Sequence, residues 1–63
     1  MNHLTTTEQN VLRLIATKGL TNAEVSGVLG CSEKTIKVHV SSVFRKMEVS
    51  NRVRMVLKFH GLL

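Results

Sequence analysis

The chain has 63 residues, 43% of them hydrophobic, and a formal net charge of +5. This length makes one small domain, expected to span residues 1–63, and leaves no room for a catalytic cleft of usual size. A single cysteine excludes an internal disulfide, and no apolar run is long enough for a transmembrane span or a signal peptide, so we expect a cytoplasmic protein.

The residues for catalytic, metal or cofactor chemistry do not occur in the required patterns. The three histidines are too scattered to form a helical metal pair, and Cys31 has no second thiol beside it. The sequence contains no aspartate for a Ser-His-Asp triad and no glycine-rich phosphate loop. We therefore predict a protein that is not an enzyme and that binds no metal, cofactor or small-molecule ligand. Cys31 is interpreted as a small buried hydrophobe.

The positive charge is concentrated in the second half of the chain. Residues 1–33 carry two bases and three acids, a net charge of −1, whereas residues 34–63 carry seven bases and one acid, a net charge of +6. This asymmetry favours a polyanionic partner, with nucleic acid first and an acidic membrane second. A solvated basic face without a partner is the alternative.

Capping signals and apolar spacing predict an all-α fold of four helices. We expect these helices at about residues 6–18, 22–29, 33–47 and 51–60. The first begins at a T-x-x-E capping box, in which Thr5 and Glu8 satisfy each other's backbone N–H groups. Gly19 is placed to end this helix in a left-handed cap.

The second helix is short and is followed by a tight turn. Thr21 and Glu24 form another capping box, and Gly30 permits a sharp change of direction before the next helix. Gly27 in its interior weakens the helix, so tertiary packing must hold it in place. Two helices joined by a three-residue turn that contains glycine form a helix-turn-helix.

The third helix, capped by Ser32, has two unlike faces. An apolar stripe at helical spacing is predicted to face the core and comprises Ile36, Val40, Val43, Phe44 and Met47. The opposite face carries Lys34, Val38, Ser41, Ser42 and Arg45, with Lys37 on its edge. This face combines bases, hydroxyls and a valine but has no acid, which is unusual for a merely solvated surface.

The last helix, capped by Ser50 or Asn51, has two apolar faces. The face predicted to pack on the core comprises Val53, Val56 and Leu57, with His60 on the same side. The far face comprises Met55, Phe59 and Leu62. Because so small a domain cannot easily bury both, we interpret the far face as a dimer surface. Fraying beyond Phe59, or packing of the far face on the first helix, are the alternatives.

Four spaced motifs together resemble the LuxR-type helix-turn-helix DNA-binding domain, over nearly the whole chain. They are L-T-x-x-E-x-x-V-L from Leu4, G-L-T-N-x-E-V from Gly19, S-x-x-T-I-K-x-H-V from Ser32 and K-M-x-V-x-N-R from Lys46. The resemblance implies the C-terminal output domain of a bacterial transcriptional regulator. No sensory domain is contained in these 63 residues, and both an excised domain and a small stand-alone regulator fit.

The resemblance also implies roles for individual residues. It places the third helix in the major groove, with Lys37, Val38 and Ser41 near base edges, and it gives dimerisation to the fourth helix. Positions matching Ser32, Thr35 and Lys46 lie near phosphates in the family. The helical wheel adds Lys34 to the base-reading set and Arg45 to the phosphate contacts, and charge adds Arg52. Met55 departs from the family, in which a small residue is common at this position.

We therefore predict sequence-specific binding of double-stranded DNA, with the domain acting as a homodimer or paired with another LuxR-type domain, and no membrane partner. The alternative is a stand-alone module that pairs with a full-length regulator of this type through the last helix and modulates it. Val38 can instead be an incidental exposed valine, and Thr35 can serve packing or local hydrogen bonding.

Overall fold

The computed structural model describes residues 3–63, so Met1 and Asn2 of the expected domain lie outside the described part. Four α-helices follow one another along it: α1 (Thr6–Lys18), α2 (Asn22–Leu29), α3 (Glu33–Met47) and α4 (Arg52–Phe59). The first three have the bounds expected from the sequence, and α4 is one residue shorter at each end. Residues 3–63 contain no strand, and the predicted all-α class is confirmed.

Two reciprocal capping boxes begin α1 and α2. The Glu8 N–H donates to Thr5 Oγ1 over 3.1 Å, and the Thr5 N–H donates to Glu8 Oε1 over 2.8 Å. Thr21 and Glu24 repeat this arrangement with distances of 3.2 and 2.8 Å. These bonds satisfy backbone donors that have no partner within the helix, and they confirm both predicted starts.

The turn between α2 and α3 fixes how the two helices meet. Gly30 ends α2 with φ +70° and ψ +34°, a left-handed conformation that costs glycine little because it has no Cβ. Ser32 then caps α3, since its Oγ accepts the Thr35 N–H over 3.1 Å. The three residues 30–32 therefore join two helices as a helix-turn-helix.

The apolar core lies around the inner face of α3, against which both α1 and α2 pack. Its buried members are Val11, Leu12, Ile15, Val25, Ile36, Val40, Val43, Met47 and Met55. Phe44 and Cys31 are half-buried against this cluster. The predicted core stripe of α3 is thus confirmed, with Phe44 at its margin. At the end of α3, the Lys58 ammonium donates to the Met47 carbonyl over 2.6 Å.

The two faces of α4 are assigned differently from the sequence prediction. Met55 is 0% exposed and belongs to the core, whereas Val53 is 68% exposed. The prediction of Met55 as a dimer contact, and of Val53 as a core residue, is therefore wrong. Both faces are apolar at helical spacing, so periodicity alone does not choose between them. The longer and more flexible methionine fills the space beside α1 and α3, which α4 contacts.

The other residues of the predicted dimer surface lie near the end of the chain and remain accessible. Phe59 is 39% exposed and Leu62 is 70% exposed. After α4 ends at Phe59, a turn follows in which the Leu62 N–H donates to the Leu57 carbonyl over 2.8 Å. His60 is exposed and its Nε2 lies 3.1 Å from the Ala16 carbonyl of α1. None of the four described helices has the length and hydropathy needed to cross a bilayer.

Candidate nucleic-acid interface

The outward face of α3 combines basic side chains, hydroxyls and an exposed valine on one surface. A shallow furrow of about 410 Å³ runs along it and is lined by Lys34, Lys37, Val38, Ser41, Ser42 and Arg45. The structure therefore brings together the four residues predicted to read bases. Val38 is 63% exposed at the centre of this set, so its side chain is not needed for the core. Any DNA contacts of these residues remain predictions.

This surface owes its rigidity to the opposite side of the same helix. Ile36 and Val43 are completely buried, and Val40 and Met47 nearly so. Since α1 and α2 pack against this inner stripe, α3 cannot rotate without breaking the core. Lys34, Lys37 and Arg45 are long and exposed, but the helix that carries them is fixed.

The first turn of α3 presents hydroxyls at the positive end of the helix dipole. Ser32 Oγ lies 2.9 Å from Thr35 Oγ1, and both residues are exposed. The Thr35 N–H is already used by the Ser32 cap, which leaves the earlier N–H groups of the turn without an intrahelical partner. Glu33 stands in the same turn and contributes a negative charge. The geometry suits a phosphate oxygen at the hydroxyl side of this end.

Lys46 is less available than the other bases of α3 because it is paired inside the protein. Its Nζ lies 2.7 Å from Oε1 of Glu8, a buried carboxylate of α1. The second carboxylate oxygen accepts the Ser42 hydroxyl over 2.6 Å. Glu8 thereby joins α1 to two points on α3. Lys46 was predicted to contact a DNA phosphate. To do so, its ammonium would have to bind the phosphate while it is also paired with Glu8.

The ion pair has a clear electrostatic signature. Hydrogen bonds from the Lys46 ammonium, from the Ser42 hydroxyl and from the Thr5 N–H lower the pKa of the Glu8 carboxyl to about 2, because each stabilises the charged form. Sequence reasoning found the bond to Thr5, which is local. It missed Ser42 and Lys46, which are 34 and 38 residues away in the chain. The sequence signal for such a partner was that Glu8 is the one acid on the apolar face of α1, beside Val11, Leu12 and Ile15.

Arg52 is also engaged within the domain. Its guanidinium donates to Asn22 Oδ1 over 2.9 Å and to the Leu20 carbonyl over 2.6 Å. These bonds tie the start of α4 to the connection between α1 and α2. Ser42 links Arg45 to Glu8, because its hydroxyl donates to Glu8 and accepts a hydrogen bond of 3.3 Å from the Arg45 guanidinium. Among the predicted phosphate contacts, Arg45 is therefore the exposed base and Arg52 is mainly a structural tie.

Neither a metal-ligand cluster nor a buried polar side chain without a partner is found in the described residues. Within residues 3–63, no three histidine, cysteine, aspartate or glutamate side chains approach one another as metal ligands would. Every buried side-chain nitrogen and oxygen of this part has a hydrogen-bond partner.

Comparison with known proteins identifies the family. The model of the family described as "Bacterial regulatory proteins, luxR family" (GerE) matches residues 2–59. A nitrate/nitrite response regulator protein homolog of Haemophilus influenzae is 42% identical over 94% of this chain and 28% of its own length. For the nitrate/nitrite response regulator proteins NarP and NarL of Escherichia coli, identity is 41% and 38%, over 89% and 95% of this chain and 26% and 27% of their lengths. No solved structure gives a significant match.

The chain spans about a quarter of the length of the curated relatives that it matches. The match to the family model covers all four helices. This chain belongs to the LuxR family of bacterial regulatory proteins.

Proposed function

We propose that this chain binds double-stranded DNA in a sequence-specific manner, as part of a bacterial transcriptional regulator, with α3 inserted in the major groove. The observation that carries the proposal is the outward face of α3. It is a rigid, exposed surface with bases and hydroxyls and without a carboxylate along its furrow. Membership in the LuxR family supports the same function.

The dimensions of α3 suit the groove. A helix of 15 residues is about 22 Å long and, with side chains, about 10–12 Å across. The major groove of B-DNA is about 12 Å wide, and only there does each base pair present a distinct pattern of donors and acceptors. A helix that is anchored in the core along one side and exposed along the other can enter this groove without disturbing the core.

Each residue at the centre of the face has a chemistry that a base edge can use. Lys37 and Lys34 can donate to the N7 and O6 acceptors of guanine, and Ser41 can donate or accept. Val38 has no polar atom, so it would select the methyl group of thymine. Together these side chains would read a short run of base pairs.

Phosphate contacts supply affinity but not sequence choice. Ser32 and Thr35 offer hydroxyls at the start of α3, and Arg45 offers an exposed guanidinium near its end. We assign Lys46 and Arg52 smaller shares, because both are half-buried as well as bonded to internal partners. One copy of the chain therefore makes few phosphate contacts, and its binding should be weak and strongly dependent on salt.

Pairing of two copies would provide the additional contacts. We place this contact on exposed apolar side chains of α4 and the C-terminal residues, namely Val53, Phe59 and Leu62. Met55 is excluded because it is buried within one copy. A twofold dimer presents two recognition helices to two half-sites. Sedimentation of Val53→Asp and Leu62→Asp variants at several concentrations tests the contact, and an unchanged oligomeric state would refute it.

These exposed apolar side chains also favour a second candidate function, a module that pairs with a full-length regulator of the family. Mixing this chain with such a regulator distinguishes the two. A homodimer binds duplex DNA alone, whereas a modulator changes the regulator's DNA affinity and binds little DNA by itself.

Selection of bound sequences from random duplexes tests the proposed function directly. We expect enrichment of a defined sequence, arranged as an inverted repeat if the chain dimerises. Titration of the selected duplex at several salt concentrations should give a steep decrease in affinity with salt. Failure to enrich any sequence, together with no salt-dependent binding, would refute the proposal.

A further inference from the structure

A second surface, formed only by α1 and α2, combines an apolar floor with a basic rim. It is a shallow depression of about 360 Å³, and all its lining residues belong to these two helices. It shares no residue with the furrow on α3. The function proposed above does not use it.

The floor of this depression consists of aliphatic side chains. Leu14 and Leu29 are half-buried against the core, and Val28 is 61% exposed beside them. An aliphatic floor that is open to solvent gains free energy when an apolar group covers it.

The rim of the depression is positively charged, although residues 1–33 together carry a net negative charge. Residues 1–33 contain two bases, Arg13 and Lys18, and both line this depression. The acids of the same segment lie elsewhere. Glu8 is paired with Lys46, Glu24 is bonded at the start of α2, and Glu33 lies in the first turn of α3. The depression is therefore locally positive, although the segment around it carries a net negative charge.

The rim is also partly ordered before any partner binds. The Arg13 guanidinium donates to Asn10 Oδ1 over 2.8 Å, one turn earlier on α1. This bond restrains the side chain and leaves its other N–H groups free to donate to a carboxylate. Lys18, in the last turn of α1, provides a second positive charge on the rim.

We propose that this depression binds a short acidic peptide segment of a protein partner, with carboxylates on Arg13 and Lys18 and an apolar side chain on the floor. A nucleic-acid backbone would satisfy the two bases but has no apolar group to cover Leu14, Val28 and Leu29. A peptide with alternating acidic and aliphatic residues satisfies both. Since the depression and the α3 furrow share no residue, the peptide and DNA bind the same molecule at once.

Titration of the 63-residue chain with a fluorescent peptide composed of glutamate and leucine tests the proposal. The matched control peptide has the same charge and serine in place of leucine. Arg13→Gln and Lys18→Gln should each weaken binding of the first peptide by about two- to fivefold. Val28→Ser should weaken it by about fivefold and should leave the serine peptide unaffected. Lys34→Gln, on α3, should leave the affinity for both peptides unchanged.

The outcomes separate this surface from the DNA-binding face. Amide shifts in NMR spectra should concentrate on α1 and α2, and a selected duplex should not displace the peptide. Shifts centred on α3, equal affinity for both peptides, or no binding at millimolar peptide would overturn the proposal. A loss of duplex affinity in Arg13→Gln and Lys18→Gln without loss of peptide binding would instead make the rim a phosphate contact, which also overturns it. Circular dichroism confirms that each variant is folded.

Discussion

Replacing Met55 with alanine should destabilise the domain strongly, because the side chain is completely buried in the core. Truncating a buried methionine to alanine typically costs about 2–5 kcal/mol, from lost burial and the cavity left behind. A natural domain is stable by about 0.05–0.15 kcal/mol per residue, which for a chain of 63 residues gives about 3–9 kcal/mol. The expected loss is therefore a large share of the total.

Val53→Ala is the matched control, on the other face of the same helix. Val53 is 68% exposed, so its truncation should change the free energy of unfolding by no more than about 0.5 kcal/mol. Urea denaturation followed by far-UV circular dichroism gives both values. Comparable losses in the two variants, or a larger loss for Val53→Ala, would refute the assignment of the inner face of α4.

Three further predictions concern local features of the helices. Because the pKa of Glu8 is lowered from 4.5 to about 2, its contribution to stability is complete above pH 4.5 and should be lost as the pH falls towards 2. A Glu8→Gln variant should lack this part of the acid transition in pH-dependent denaturation. Gly27→Ala should stabilise the domain by about 0.5–1 kcal/mol in urea denaturation, since an added Cβ meets nothing within 4 Å. Thr21→Ala should cost about 0.5–2 kcal/mol in the same assay by removing the cap of α2, and a neutral result would contradict the role of that cap.

Features set by neighbouring residues were predictable from the sequence. Thr5, Thr21 and Ser32 cap their helices as expected, because a cap depends on residues within one turn. The inner stripe of α3 was also predictable, since only one face of that helix is continuously apolar. For α4, both faces are apolar, and only contact with α1 and α3 selects Met55 as the inner residue.

In the candidate site, too, the features that depend on local sequence were predictable and those that depend on distant residues were not. The helical wheel of α3 placed Val38, Ser41 and Arg45 on one exposed face, as the structure has them. The internal partners of Lys46 and Arg52 are thirty or more positions away in the chain, and one of them is a backbone carbonyl, so no local pattern predicts them. The sequence can therefore nominate a basic residue for DNA contact, but the folded structure is needed to show whether that residue is already bonded within the domain.

Lys37→Ala, compared with Arg45→Ala, tests the central proposal that α3 reads base pairs. Fluorescence anisotropy measures the affinity of each variant for the selected duplex and for duplexes with single base-pair changes. We expect Lys37→Ala to lose about 1–3 kcal/mol of discrimination at one position, and Arg45→Ala to weaken all duplexes alike while lowering the salt slope by about 1. Uniform weakening of every duplex by Lys37→Ala would contradict the base-reading role of the outward face of α3.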